Sequence, residues 1–179
     1  MSRFFGTPEG IRVGQQFIDR RELHDLHVHR PLQAGISGTK AEGADSIVVS
    51  GGYIDDEDHG SWIVYTGHGG NDSNTGRQIR HQTIDAPGNA GLVTSRAEGL
   101  PVRVVRGRHV GSSYAPLSGY VYAGLFEVAD YWIRNCQVQV RQVARTSFFG
   151  YARGSRSRPG IRHHNCVEAD SGHRAIARN

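Results

Sequence analysis

The chain has 179 residues, a length that fits one domain with room for a tail, and its 37% hydrophobic and 21% charged residues describe an ordinary globular protein. No run approaches the roughly 18 consecutive apolar residues of a membrane-spanning helix. The opening Met1-Ser2-Arg3-Phe4-Phe5-Gly6 runs into charge rather than into the apolar segment of a signal peptide, which argues for an intracellular protein. The formal charge of +4 is uneven: residues 141–179 hold eight arginines against two acids, whereas residues 1–140 hold 13 cations against 15 acids. Basicity is therefore a property of the tail, and net charge alone gives no support for nucleic-acid binding by the rest. Cys136 and Cys166 are the only cysteines and belong to no CxxC pair, so neither a disulfide framework nor a structural zinc site is expected.

In chain order, residues 19–26 read as a helix with Asp19 at its N-cap. Strands follow at 32–37, 46–50 and 61–66, each a short β-branched run bounded by glycine. A second helix spans 88–97, stopped by Gly99 and Pro101. Strands at 102–106, 121–131 and 137–143 complete the pattern. Six strands and two helices suggest an α+β domain on a strongly curved or barrel-like sheet, with Trp62 and Trp132 assigned to its core. Beyond about residue 150 periodicity is lost in Arg153-Gly154-Ser155-Arg156-Ser157-Arg158, which reads as a linker or tail. The organisation expected is a domain over 1–148 and an Arg/Gly/Ser-rich tail over 149–179.

Several motifs fail on inspection. Gly35-Ile36-Ser37-Gly38-Thr39-Lys40 is no phosphate loop, because Thr39 separates glycine from lysine and no Ser or Thr follows Lys40. The acidic run from Asp55 has the glycine of a calcium loop at Gly60, but its twelfth position is Thr66 rather than a bidentate Glu. His163, His164, Cys166 and His173 lack the second cysteine pair that would make them a metal site and are taken as tail residues. No Gly-x-Ser-x-Gly elbow is present and no nucleophile stands at a recognisable spacing from a base. Read without context, Tyr53 and Tyr65 are half-buried sheet tyrosines, Asp55 to Asp58 a solvated turn, and His59 a structural residue. Arg103, Arg106 and Arg108 fit phosphate or solvent equally well.

Four separated blocks carry more information. They are His29-Arg30-Pro31-Leu32-Gln33-Ala34-Gly35-Ile36-Ser37-Gly38, Ser50-Gly51-Gly52-Tyr53-Ile54-Asp55-Asp56-Glu57-Asp58-His59-Gly60, Val64-Tyr65-Thr66-Gly67-His68-Gly69-Gly70-Asn71-Asp72 and Gly99-Leu100-Pro101-Val102-Arg103-Val104-Val105-Arg106-Gly107. In this order and spacing the chain resembles the SRA (SET- and RING-finger-associated, or YDG) domain family over residues 6–143. The resemblance implies a PUA-like twisted β-barrel with flanking helices. It implies binding of double-stranded DNA, with a modified cytosine swung out of the duplex into a pocket and no reaction in the domain itself.

By that resemblance Tyr53 and Tyr65 sandwich the flipped ring, Asp56 accepts from the cytosine N4 amine, and Thr66 contacts the base or adjoining backbone. A carboxylate selects an amino-bearing pyrimidine, since thymine offers a carbonyl at that position. One methyl group is worth only about 0.8 kcal/mol of burial, so 5-methylcytosine is expected first and 5-hydroxymethylcytosine close behind. The loop Gln33, Ala34, Gly35 is expected to enter the gap left by the base, with Gln33 hydrogen-bonding the orphan guanine. Gly67, Gly69 and Gly70 would let the backbone approach a phosphate, and Arg77 lies in a short second loop toward the major groove. Departures from the family pattern are Tyr122-Ala123-Gly124 in place of Tyr-Asp-Gly, Phe126 where tyrosine is common, and His81-Gln82 in place of Asp-Gln. Bacterial relatives often carry a nuclease and restrict modified DNA. The expectation is thus a recognition module acting in a bacterial cytoplasm at the nucleoid, with a nuclease fused or in partnership; the alternative is an endonuclease whose catalytic part is truncated or unrecognised in the tail. No cofactor, metal or catalytic residue is expected.

Overall fold

β-Branched runs lay down the strands of the computed structural model, which describes residues 3–53, 55–70, 81–109, 111–134 and 137–145. The elements are β1 (Gln16–Phe17), α1 (Arg20–Asp25), β2 (Ile36–Thr39), β3 (Gly43–Val49), β4 (Glu57–Asp58), β5 (Trp62–Thr66), α2 (Pro87–Glu98), β6 (Val102–Gly107), β7 (Tyr120–Arg134) and β8 (Gln137–Ala144). They form one sheet in the order β2-β3-β6-β7-β8-β5-β4, with β1 paired to β7. All pairings are antiparallel except β3 with β6. That parallel step requires a crossover, and it contains β4, β5 and α2, the elements nearest the expected pocket.

The sheet curls strongly. Ile36 of β2 and Ile63 and Tyr65 of β5, near opposite ends of the hydrogen-bonded path, share one core with Val49, Leu92, Val104, Phe126 and Val140. Irregular pairing at Ser37/Gly38, Val104/Val105 and Val128/Asp130 supplies the local bends such curvature needs. Helix α2 packs against β2, β3 and β7 and closes one face. A second cluster, Phe17, Leu23, Val28, Val48, Val105 and Tyr122, packs α1 onto the other face of the same strands. This is the twisted, barrel-like α+β sheet expected, with no ladder joining its edge strands β2 and β4 among the described residues.

The helix signals hold locally. Asp19 accepts from the Glu22 amide at 2.9 Å and Glu22 reaches back to the Ile18 amide at 2.6 Å, a reciprocal cap at the start of α1. Gly99 ends α2 in the left-handed region at φ 65. Three readings need correction. The run 32–37 is strand only from Ile36, because its first residues are held by side-chain donors rather than by a ladder. Glu57 and Asp58 form the short β4, paired to Val64 and Ile63, so this end of the acidic turn is sheet edge. Trp62 is 36% exposed and stacks on His59 with ring centroids 3.8 Å apart, and Trp132 is half-buried with its indole N–H donated to Gln139 at 2.7 Å. The core is mainly aliphatic, with Phe17, Tyr65, Tyr122 and Phe126 as its large rings.

Two arginines left open between phosphate and solvent are neither. Arg103 is 1% exposed and faces the fully buried Asp45 at 3.2 Å. It also donates to the carbonyls of Val28, Phe4 and Gly6 at 2.9, 2.9 and 2.7 Å, tying the N-terminal segment to β6. Arg106 forms a bidentate pair with Asp58, both bonds 2.8 Å. Burial alone would push the Asp58 carboxyl up, but the Arg106 bonds outweigh it and hold the acid below its ordinary range, helped by the Gly60 amide and Ser112 hydroxyl. Arg108 is exposed. No helix among the described residues is long and apolar enough to cross a membrane.

Asp45 neutralises charge that has no water to fall back on, so Asp45→Asn should cost about 3–5 kcal/mol of stability. Removing Glu127 from its exposed pair with Arg145 should cost at most about 1 kcal/mol. Urea titrations at constant m-value compare the two, and a loss below about 1 kcal/mol for Asp45→Asn would refute the assignment.

Candidate nucleic-acid interface

The β4–β5 hairpin sets the centre of the site. Pairing of Glu57 with Val64 brings the preceding Asp56 alongside the end of β5, where its Oδ1 accepts the Thr66 amide at 2.8 Å. Burial pushes the Asp56 carboxyl up to about 6. The Thr66 amide, the adjacent Thr66 hydroxyl and His109 pull the other way, and Asp55 adds to the rise. The Thr66 hydroxyl is fully buried beside that carboxyl but not aligned with it as a hydrogen bond. Tyr65 is 4% exposed, and its phenol is held neutral by burial, with Asp56 and Tyr53 as the next contributors. Tyr53 is half-buried, and its carbonyl accepts the Asp56 amide at 3.3 Å. The four residues expected to form a base cage, Tyr53, Asp56, Tyr65 and Thr66, are thus neighbours around one carboxylate.

The second part is the segment 33–35. Gln33 and Ala34 are exposed, while their carbonyls both accept from Arg20 Nη2 at 2.8 Å. The Ala34 carbonyl also receives His29 Nε2 at 2.9 Å, and His29 Nδ1 meets the Ser46 hydroxyl at 2.8 Å. A carbonyl only accepts, so Nε2 carries the proton and Nδ1 takes one from Ser46. Burial lowers the His29 pKa to about 4 and keeps this neutral tautomer at physiological pH. The Gly35 carbonyl accepts the Val48 amide at 2.8 Å. A Cβ on Gly35 would stand 2.5 Å from the Tyr65 hydroxyl, so only glycine permits the loop to lie against the cage.

The third part follows β5. Gly67 donates its amide to Val138 at 2.6 Å and accepts Gln82 Nε2 at 2.6 Å, while Gln82 Oε1 accepts the Val138 amide at 2.9 Å. Gln82 thereby bridges β5 and β8, and the departure at His81 leaves this role intact. Fully buried Asn89 accepts the His68 amide at 2.9 Å and donates to the His68 and Thr83 carbonyls at 3.0 and 2.8 Å. Gly67 is small because Asn89 packs on it, with 2.5 Å between a built Cβ and Oδ1. Gly69, at φ 109, faces open space, and Gly70 also has positive φ, at 75. Arg77 lies outside the described residues. The phenol of Tyr122, in the altered family signature, hydrogen-bonds Thr7 at 2.8 Å within the second cluster. Among the described residues no group of His, Cys, Asp and Glu is placed to hold a metal ion.

Sequence reasoning missed Arg20, Asn89 and the role of His29. His29 stood inside a recognised block, but Arg20 acts on partners 13 and 14 residues away and Asn89 on His68, 21 residues away, as well as on the nearer Thr83, and neither leaves a local signal.

Comparison with known proteins bears on this geometry. The SAD/SRA domain model matches residues 4–148. Among solved structures, a modification-dependent TagI restriction endonuclease superposes with a TM-score of 0.77 at 47% identity, covering 80% of this chain and 53% of that one. The SUVH5 SRA domain in complex with hemi-methylated CG DNA superposes with a TM-score of 0.67 at 32% identity, covering 88% of this chain and 100% of that one. The same domain bound to fully hydroxymethylated CG DNA gives 0.66 at 32%, with the same coverage. A UHRF1-like protein of Cryptococcus neoformans is 42% identical over 154 residues, which is 80% of this chain and 45% of that protein. The chain therefore spans about half the length of the restriction endonuclease and less than half of the fungal relative. The match runs across the whole described sheet, the cage residues and the 33–35 loop included, and on it the chain belongs to the SAD/SRA domain family.

Proposed function

We propose that this protein binds double-stranded DNA containing modified cytosine and holds the base, flipped out of the helix, among Tyr53, Asp56, Tyr65 and Thr66. The observation that carries this reading is a carboxylate at the junction of β4 and β5, fixed by the Thr66 amide and flanked by two tyrosines. Extruding a base costs a few kcal/mol, and an aromatic face returns about 1–3 kcal/mol by stacking. Two tyrosine faces therefore offset extrusion, and Asp56 spends its acceptor capacity on choosing cytosine. The reading is supported by relatives whose structures hold hemi-methylated and hydroxymethylated CG DNA. Gln33, Ala34 and Gly35 are assigned to the gap in the duplex. Gly67, Gly69, Gly70 and Arg77 are assigned to the DNA backbone and major-groove side.

The domain is a DNA-binding module rather than a catalyst. In the wider protein we assign it to recognition in a modification-dependent restriction system of the bacterial cytoplasm, with residues 149–179 as a basic extension of the domain at 1–148. The likeness to a modification-dependent restriction endonuclease favours a second reading for the parent protein, cleavage of modified DNA by a nuclease fused to the module or acting beside it. Incubating modified plasmid with this chain and magnesium or manganese tests for catalysis within the chain itself: an intact plasmid assigns any cleavage to a fused or partnering nuclease, and a cut plasmid would overturn the recognition-module reading.

Gel-shift titration of duplexes carrying cytosine, 5-methylcytosine or 5-hydroxymethylcytosine tests the reading, and equal binding of all three would sink it. Asp56→Ala should weaken binding of modified-cytosine duplexes by removing about 1–3 kcal/mol of preference for an amino-bearing pyrimidine over thymine at the flipped position, while leaving the fold intact. Because Asp56 is ionised chiefly above about 6, affinity for modified-cytosine DNA should fall as pH drops from 7 to 5 at fixed ionic strength. The same group acts oppositely on stability. Its folded-state pKa lies above the ordinary 3.8, so its contribution is largest below about 4 and is lost as pH rises through about 6. Asp56→Asn should flatten both trends. Gly35→Ala, forced against the Tyr65 hydroxyl, should weaken binding of modified DNA at least about tenfold while costing about 1–3 kcal/mol of stability.

A further inference from the structure

Three successive residues at the expected point of DNA entry are fixed through their backbone. Arg20 opens α1 and places one nitrogen, Nη2, 2.8 Å from the carbonyls of both Gln33 and Ala34. Its guanidinium carbon lies 5.8 Å from the centroid of the Tyr120 ring, and Nη1 is buried with no hydrogen-bond partner among the described residues. His29, fully buried, supplies a second donor to the Ala34 carbonyl. Gly35 is pinned to β3 through the Val48 amide and abuts the Tyr65 hydroxyl. The side chains of Gln33 and Ala34 stay exposed.

We propose that Arg20 is a positioning residue for base extrusion: with His29 it holds the 33–35 loop in the shape that carries Gln33 into the duplex, and through Gly35 against Tyr65 it joins the inserting loop and the base cage into one rigid body. The inference rests on the reading that the base is flipped into the cage. A loop ordered in advance loses no further entropy when it enters DNA, so its affinity is not spent on its own ordering. Arginine suits the task because a planar guanidinium fixes two carbonyls in a set direction, whereas lysine is a point donor on a flexible stem. Filling the gap and receiving the base then occur as a single docking event.

The test compares the wild-type chain with Arg20→Gln and Arg20→Lys on two duplexes that differ only opposite the 5-methylcytosine, where one has guanine and the other an abasic site. In the second duplex the base has no pairing to lose and leaves no orphan guanine for Gln33. Affinity is read by fluorescence anisotropy, base unstacking by a 2-aminopurine beside the modified base, and folding by thermal melting. Arg20→Gln should weaken binding to the paired duplex about tenfold or more and abolish its 2-aminopurine rise, while changing affinity for the abasic duplex less than about threefold. Arg20→Lys should fall between, and it carries the comparison if Arg20→Gln fails to fold. Equal losses on both duplexes, or none on either, would overturn the inference. A wild-type chain that binds plain and methylated paired duplexes alike would overturn the base-flipping reading, and this inference with it.

Discussion

The hydrogen bond from the Thr66 amide to the Asp56 carboxylate is the constraint on which the site depends. It closes the end of a very short hairpin, in which β4 is only Glu57–Asp58, and so fixes an acid where the curled sheet offers little water. The position has two consequences of opposite sign. Burial raises the cost of the charge, and the same burial strengthens any hydrogen bond the charge makes to a ligand. An acid in that environment contributes less to holding the fold together than to discriminating among partners that do or do not bring a donor.

Around that acid the fold spends buried charge on geometry. Asp58 and Arg106 lock the far end of β4 to β6, and Asp45 with Arg103 locks β3 and β6 to the N-terminal segment and Val28. Such pairs add little net stability over apolar residues of the same shape, because each charge must first be desolvated. What they supply is direction: a bidentate pair fixes two strands in one relative orientation, which dispersion contacts among valines do not. The Tyr53 segment runs between two of the strands so fixed, β3 and β4, and the 33–35 loop leads into β2, the sheet neighbour of β3.

Much of this architecture was legible in the chain, and the limit is physical. Six strands, both helices, the Asp19 cap and the Gly99 stop followed from local periodicity and cap chemistry, which act over a few residues. The expectation that Tyr53, Asp56, Tyr65 and Thr66 belong to one site came from four motif blocks in one order. Asp58 was read as solvated because its partner lies 48 residues away, and Arg103 as surface because Asp45 carries no mark of its burial. Residues 32–35 look like strand by composition, yet Arg20 and His29 take the carbonyls a ladder would need. Trp62 went to the core on size alone, while its ring is accommodated by stacking on His59 at the sheet edge.

Ion pairing, buried and exposed, also bears on how charge would divide the labour of binding. Residues 1–140 carry a slight excess of acids, and among the described residues Arg3, Arg96, Arg103, Arg106 and Arg145 already face carboxylates. Cations so engaged are poor sources of the counterion release that gives general affinity for a duplex. Residues 141–179, with eight arginines against two acids, are the stretch of the chain with a strong net positive charge. On the proposed reading, salt-sensitive and sequence-blind attraction then belongs chiefly to that basic extension, and the choice of base to a site whose key group is itself negative. An anionic pocket repels the backbone it must approach, so a base that brings a hydrogen-bond donor to Asp56 is favoured over a phosphate as its occupant. The charge that weakens non-specific contact is the charge that makes specific contact worthwhile.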